Sequence, residues 1–445
     1  MGRKLQSRRL VVWMNGTMVG TWDIKPNGNS EFSYASAWLD SPQARPISLS
    51  MPLRPAMAPY QGKPVDFFFD NLLPDTKKIR DRLRARFHAA STGAFDLLER
   101  IGRDCVGAVQ LLPDGMPPSD IHRIQGAPLS ASDIAHVLDE CVSLSPFFTV
   151  GGAEENDFRI SLAGAQEKTA LLKVDGQWMR PVGPTPTTHI LKLPIGTGNR
   201  GIDLTTSVEN EWLCSRILSA FGLEVAKSQV QTFDQHTVLE VERFDRQFAQ
   251  DKSWIMRLPQ EDFCQVTGTP GDLKYEVDGG PGIAVIMKKL LGSVVAEQDR
   301  MTFLRTQIVF WLLCAIDGHA KNFSVFLLSN SRFRLTPSYD VLSAYPVLGT
   351  ASNQLSPYKI KMAMTLSGKN RHYRWSEIRF QHWAATAQEC GLGAKFPALI
   401  EEIIATVPAA LDAAGAQLPA GYPAHIADSI FDGVRESAKK LAAQI

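Results

Sequence analysis

Apolar periodicity changes along this chain, and the change restricts it to folds in which a β-rich part precedes a helical one. Near the start, Leu10-Val11-Val12-Trp13-Met14 and Met18-Val19-Gly20-Thr21-Trp22 flank Asn15-Gly16. Asn-Gly between two such runs predicts a hairpin, because both central residues of its turn need positive φ. A further strand is expected over Ile47–Met51, closed by Pro52. From Pro74 the pattern turns helical. Asp75 is placed to cap a helix running from Lys77 to His88, basic at 77, 78, 80, 82, 84 and 86, and a second helix is expected over Ala94–Ile101. Such a basic run reads as a solvated helix face. Pro113, Gly115, Pro117, Pro118, Gly126 and Pro128 then mark a connection between units.

After about residue 150 strands return: Phe158-Arg159-Ile160 and Thr169–Val174 stand on either side of Ser161–Lys168, and His189–Leu193 forms another. A helix is expected over Ser207–Phe221, with Val208, Trp212, Leu213, Ile217, Leu218 and Phe221 on one face and Gly222 ending it. The strand Thr237–Val241 follows, and from about residue 255 helical patterning dominates, over 281–292, 299–315, 376–391 and 396–413. The expected class is therefore α+β, divided into an accessory unit (1–130), a β-plus-helix unit (131–245) and a helical unit (246–445).

Composition narrows the functions. With 445 residues, 44% hydrophobic and 21% charged, the chain can bury a large core, which excludes disorder and disulfide scaffolds. A net charge of +1 excludes a surface built throughout to grip nucleic acid. One local patch remains: Lys359, Lys361, Lys369, Arg371, Arg374 and Arg379, interleaved with Tyr358, Tyr373 and Trp375. It reads either as a solvated loop or as a surface that touches DNA phosphates. Six scattered cysteines without a CxxC pair, no signal-peptide run and no apolar stretch of membrane length lead us to expect a cytoplasmic protein without a membrane partner.

The chemistry concentrates in Phe310–Phe323, where an apolar helix end delivers Asp317 and Asn322 follows five residues later. That offset matches the catalytic loop of protein kinases, whose Asp accepts the substrate hydroxyl proton and whose Asn holds Mg²⁺, although no His-Arg precedes the Asp here. Asp340, at the end of a strand-like run, supplies a second oxygen ligand of the kind Mg²⁺ takes beside nucleotide phosphates. Lys192, on a strand, with Glu211 or Glu209 on the following helix, has the arrangement of the kinase phosphate-pairing Lys and its brace. Ser161–Lys168 is a small-residue turn able to present N–H groups to phosphate, though it is neither a Walker loop nor G-x-G-x-x-G and also reads as a plain hairpin turn. Glu242-Arg243-Phe244 stands where a chain crossing between two lobes would offer its backbone to an adenine edge.

With these pieces in this order, the chain resembles the HipA family of serine/threonine kinases, the toxins of HipBA-type toxin–antitoxin systems, over nearly its whole length. Further residues that support the resemblance are Phe67–Asp75, Ile101–Ala108, Ile160–Lys168, Pro259–Asp262, Asp317–Asn322 and Tyr339-Asp340. It implies a bilobal kinase-like α+β fold, ATP and Mg²⁺ as cofactors, and two catalytic residues, Asp317 as the base and Lys321 offsetting the charge of the transferring phosphoryl with Lys192 and Mg²⁺. Asn322 and Asp340 would hold the metal. ATP would meet Ala163, Gly164, Ala165, Gln166, Glu167, Lys168, Lys192, Glu242, Arg243, Phe244, Asp317, Gly318, His319 and Tyr339. It also implies autophosphorylation of Ser161, a translation protein of the aminoacyl-tRNA synthetase class as substrate, glutamyl-tRNA synthetase being the familiar one, and a HipB-like helix-turn-helix antitoxin dimer as partner. Through that partner comes operator DNA, with Lys369, Arg371 and Arg374 as possible contacts. Two other readings stay open: a co-repressor that mainly scaffolds an antitoxin on DNA, and a small-molecule kinase.

Overall fold

The structure, a computed structural model, describes residues 7–142, 161–164 and 166–445. The expected strand at 158–160 and Ala165 lie outside these. The N-terminal unit is built on an antiparallel five-stranded sheet ordered Tyr60–Gln61, Ser30–Tyr34, Thr17–Ile24, Arg8–Met14, Val109–Pro113. The Asn15-Gly16 turn forms as expected, with φ of 45° and 80°. Trp22 stacks on Phe69 at 3.9 Å and meets Phe95 edge-on. These rings come from the helices Lys63–Asp70 and Ala94–Ile101, whose apolar stripes the sheet buries.

Two local expectations fail here. Ile47–Met51 is a turn, not a strand: Ser48 and Met51 share a single bridge, and the Tyr34 hydroxyl accepts from the Ile47 N–H (3.0 Å) and donates to the Met51 carbonyl (2.6 Å). Ile47 and Met51 are buried, but a tyrosine rather than a neighbouring strand satisfies their backbone. The basic helix forms over Lys77–Arg86, but Thr76, not Asp75, sits at its N-cap, and the Asp75 carboxylate points to Lys274 (2.8 Å). Nor is the basic face left wholly to solvent, since Arg80 pairs with Asp70, Arg82 with Glu167 and Arg86 with Glu140.

The second sheet has six antiparallel strands ordered Ser228–Phe233, His236–Glu242, His189–Lys192, Lys168–Val174, Gln177–Pro181, Gly126–Pro128. Its outer strand arises from the segment that its prolines and glycines mark as a connection; at a sheet edge Pro128 sacrifices no interior ladder bond. Alternation along His236–Glu242 sends Val238 to a small core under the helix Ala131–Val142 and Leu239 and Val241 to the main core under Ser207–Ala220. That second helix ends at Gly222 (φ 76°) as expected.

The helical part contains Ile283–Leu290, Ala296–Leu312, Phe380–Glu389, Phe396–Gly415 and Ala424–Ala442. The last was not expected, although Ile426, Ile430, Val434, Ala438 and Leu441 form its buried stripe. A three-stranded sheet, Gln260–Asp262, Ser324–Leu327 and Phe333–Leu335, holds the loop that carries Asp317 against the N-terminal unit. No helix among the described residues is long and apolar enough to cross a membrane.

At that junction Glu261 is fully buried, accepting from the Leu49 N–H at 2.7 Å. Burial pushes its carboxyl up to about 8, against the pull of the Leu49 bond. A carboxyl raised on folding contributes fully below its ordinary range near 4.5 and loses that contribution as pH rises through about 8. Glu261→Gln, which keeps the acceptor, is therefore expected to remove a fall in stability of order a few kcal/mol across that window. Urea unfolding of both proteins at about pH 5 and about pH 9 checks this; parallel curves would refute it.

Candidate active site

A cleft of about 300 Å³ opens between the six-stranded sheet and the helical part. On the sheet side, the Lys192 Nζ contacts Glu211 Oε1 at 2.6 Å and Asp340 Oδ1 at 2.8 Å. The lysine is 6% exposed and Glu211 5%, so neither charge is solvated and each depends on the other. Burial opposes the charge on Lys192, but Asp340 and Glu211 more than offset it and hold the ammonium above its ordinary range. Burial likewise works against Asp340, yet Lys192 and Lys168 keep it ionised well below the usual carboxylate range. Glu211, rather than Glu209, is the brace; the Glu209 carbonyl instead accepts from Tyr422.

Lys168 lies directly across the ladder from Lys192. Burial pushes its ammonium down to about 8, with Lys192 adding to the effect and Asp340 opposing it. Lys168 is thus a second ammonium beside Asp340, and ammonium groups of this kind pair with anionic oxygens. Gly164, with φ of 106°, brings the Ser161–Lys168 turn over this pair, and a Cβ there would lie 2.6 Å from the Lys168 Nζ. Gln166 ties the turn to the Leu193 carbonyl (2.5 Å), while the Glu167 carboxylate is engaged by Arg82. Ser161 is fully buried beneath the turn: its hydroxyl donates to the Leu72 carbonyl (2.7 Å) and its N–H to the Asp104 carbonyl (3.0 Å).

On the helical side, the buried helix Ala296–Leu312 ends and its continuation turns at Cys314 (φ 50°) to present Asp317. Burial raises the Asp317 carboxyl above its ordinary range, against the hydrogen bond it accepts from the Tyr275 hydroxyl. Gly318 packs where a Cβ would meet the Phe310 ring at 2.6 Å, so a larger residue would displace the loop. His319 is pushed down to about 3, by burial first and by Lys274, and is neutral in the cleft wall. Asn322 donates to the Asp340 carbonyl (3.1 Å) and carboxylate (3.3 Å). Its own Oδ1 is buried without a hydrogen-bond partner among the described residues. An orphaned amide oxygen beside an ionised Asp that holds φ of 60° is a donor set suited to a hard divalent cation shared with phosphate.

The remaining expected residues divide. Tyr339 and Phe244 face each other with centroids 5.7 Å apart and form the apolar end of the cleft. The Glu242 and Arg243 N–H groups are already bonded, to the Lys227 and Thr188 carbonyls. The Arg243 guanidinium is used elsewhere: with Arg246 and Arg257 it encloses Asp104 and Asp245, buried where the N-terminal unit meets the strand end. Lys321 does reach the cleft, but its Nζ is held by the Asn71 side chain (2.8 Å), the Asn71 carbonyl (3.1 Å) and Asp262 (3.3 Å). Lys369, Arg371 and Arg374 are exposed on a hairpin outside the cleft, where Arg371 pairs with Glu389 and Arg374 with Glu377. Lys274 and Tyr275 line or border the site without a local sequence signal, and Asn71 and Asp75, although in the stretch Phe67–Asp75 that supports the resemblance, show a place in the site only through partners far along the chain.

Comparison with known proteins shows the family and the fold. Residues 10–112 match the model of the HipA N-terminal domain and residues 160–411 that of the HipA-like C-terminal domain. The Sinorhizobium fredii protein Y4mE is 34% identical over 393 residues, covering 87% of this chain and 86% of that protein. The serine/threonine-protein kinase toxin HipA of Shewanella oneidensis is 27% identical over 327 residues, covering 70% and 69%. The solved structure of Shewanella oneidensis HipA, in a complex with HipB and operator DNA, superposes with a TM-score of 0.78 at 21% identity, over 98% of this chain and 97% of that one. That match gives the fold, a kinase-like α+β architecture, as expected. On the family models and the extent of these matches, the chain belongs to the HipA family of protein kinases.

Proposed function

We propose that this protein transfers the γ-phosphoryl of ATP, with Mg²⁺, to a serine of a protein in translation, of the aminoacyl-tRNA synthetase class and similar to glutamyl-tRNA synthetase. The observation that carries the reading is the convergence on Asp340: Lys192 braced by Glu211 on one side, Asn322 on the other, and Asp317 in the same cleft. Asp317 accepts the proton of the acceptor hydroxyl, and its raised carboxyl suits that task. Lys192 and Lys168 pair the phosphate oxygens, while Phe244 and Tyr339 pack the adenine. Asn322 Oδ1 and Asp340 hold the cation, which offsets the phosphate charge when bound.

Ser161 is the proposed autophosphorylation site and off switch. A phosphate on its oxygen would break the bond to Leu72 and place two negative charges in a fully buried position, so the turn would have to leave the cleft. Neutralisation by a HipB-like antitoxin dimer on operator DNA is supported by the solved complex of Shewanella oneidensis HipA with HipB and its operator, and Lys369, Arg371 and Arg374 are exposed as a phosphate contact requires. Intact mass after incubation with Mg-ATP tests the switch. The expected result is a gain of one phosphate in the wild type and none in Ser161→Ala; an equal gain in both would refute it.

A further inference from the structure

We propose that Asp75, with Asn71, is a positioning residue for phosphoryl transfer, so that a strap from the N-terminal unit, Asn71–Asp75, sets the geometry of the active cleft. The inference rests on the reading of Asp317 as the catalytic base. The strap holds both walls of the cleft. Its Asp75 N–H donates to the Gly164 carbonyl at 3.1 Å, and Pro74 forms a parallel bridge with Gly164, which fixes the turn over Lys168. Toward the opposite wall, the Asp75 carboxylate meets Lys274 at 2.8 Å and Lys321 at 3.7 Å. Asn71 takes the Lys321 ammonium through both its side chain and its carbonyl, and donates to Thr269.

Lys274 extends this to the catalytic loop. Its carbonyl accepts from the Ala320 N–H at 3.2 Å, and the next residue, Tyr275, donates its hydroxyl to Asp317. Asp75 is thus two contacts from the base on one side and one hydrogen bond from the phosphate turn on the other. A carboxylate held by two cations and with little exposure does not serve as a solvated cap. Because transfer depends on the in-line placement of the acceptor hydroxyl against the phosphate, a loosened strap should slow the chemical step more than it weakens nucleotide binding, by up to about 10²-fold.

Because the Ser161 hydroxyl is itself bonded to the strap at Leu72, the experiment uses the full-length protein carrying Ser161→Ala and two readouts: the rate of γ-phosphoryl transfer from Mg-ATP to water, read as labelled phosphate released, and the affinity for Mg-adenylyl imidodiphosphate. Asp75→Asn should lower the rate roughly 10- to 100-fold and shift affinity by less than about threefold, and Asp75→Glu should recover part of the rate. Asp75→Asn and Lys274→Met should also be non-additive, the double variant losing no more than the slower single. Equal transfer per folded molecule in Asp75→Asn, or additive losses, would overturn the proposal and leave Asp75 a packing residue. A Ser161→Ala parent that releases no labelled phosphate, or Asp317→Ala that releases it as that parent does, would instead overturn the reading of Asp317 and this inference with it.

Discussion

Asp317→Ala is expected to lower phosphoryl transfer by about 10²- to 10⁴-fold, the range a positioned general base supplies, without weakening Mg-nucleotide binding. The expectation follows from where the charge sits. Asp317 is on the loop that leaves the buried helix Ala296–Leu312, its carboxyl is raised by burial, and it accepts a bond from a hydroxyl, that of Tyr275. Although the Asp340 charge adds to that rise, the bonds of Lys192 to Glu211 and Asp340 do not pass through Asp317, so the phosphate-pairing side of the cleft survives its removal. Transfer rate at saturating Mg-ATP, with nucleotide affinity measured alongside, checks the result. A parallel loss of both would mean that Asp317 binds nucleotide rather than accepting a proton.

Lys192→Met has a different signature. The ammonium stands between two carboxylates, and its removal leaves Glu211, 5% exposed, with no cation at 2.6 Å. Breaking a buried pair from one side costs about 3–5 kcal/mol, more than deletion of the whole pair. Urea unfolding should show that loss, accompanied by failure of nucleotide binding because Asp340 loses its partner at 2.8 Å. Adding Glu211→Gln should return part of the stability and none of the binding, since the uncompensated charge is then gone but the phosphate contact is still missing. A single variant as stable as the wild type would show that the pair is solvated in solution.

What could be read from the sequence was local. The Asn15-Gly16 hairpin and the helix ended by Gly222 each depend on a few consecutive residues, and both have the expected form. Errors came where local chemistry is outcompeted by a distant partner. Asp75 has the right position for a cap, yet Lys274, Lys321 and Gly164 take it instead. Ile47–Met51 has strand composition, but Tyr34 binds its backbone. The buried cluster is illegible for the same reason: the Arg243 guanidinium is drawn to Asp104, 139 residues away, a partner that no local pattern announces. The final helix carries a regular stripe at Ile426, Ile430, Val434, Ala438 and Leu441, so its periodicity is local and legible, and a reading of helices that stops at residue 413 misses it.

The central claim is that this cleft moves phosphate from ATP, and label transfer tests it most directly. Purified full-length protein with γ-labelled Mg-ATP should incorporate label on serine, and Asp317→Ala should not. Absence of label from the wild type at saturating Mg-ATP, or equal incorporation by the variant, would contradict the account.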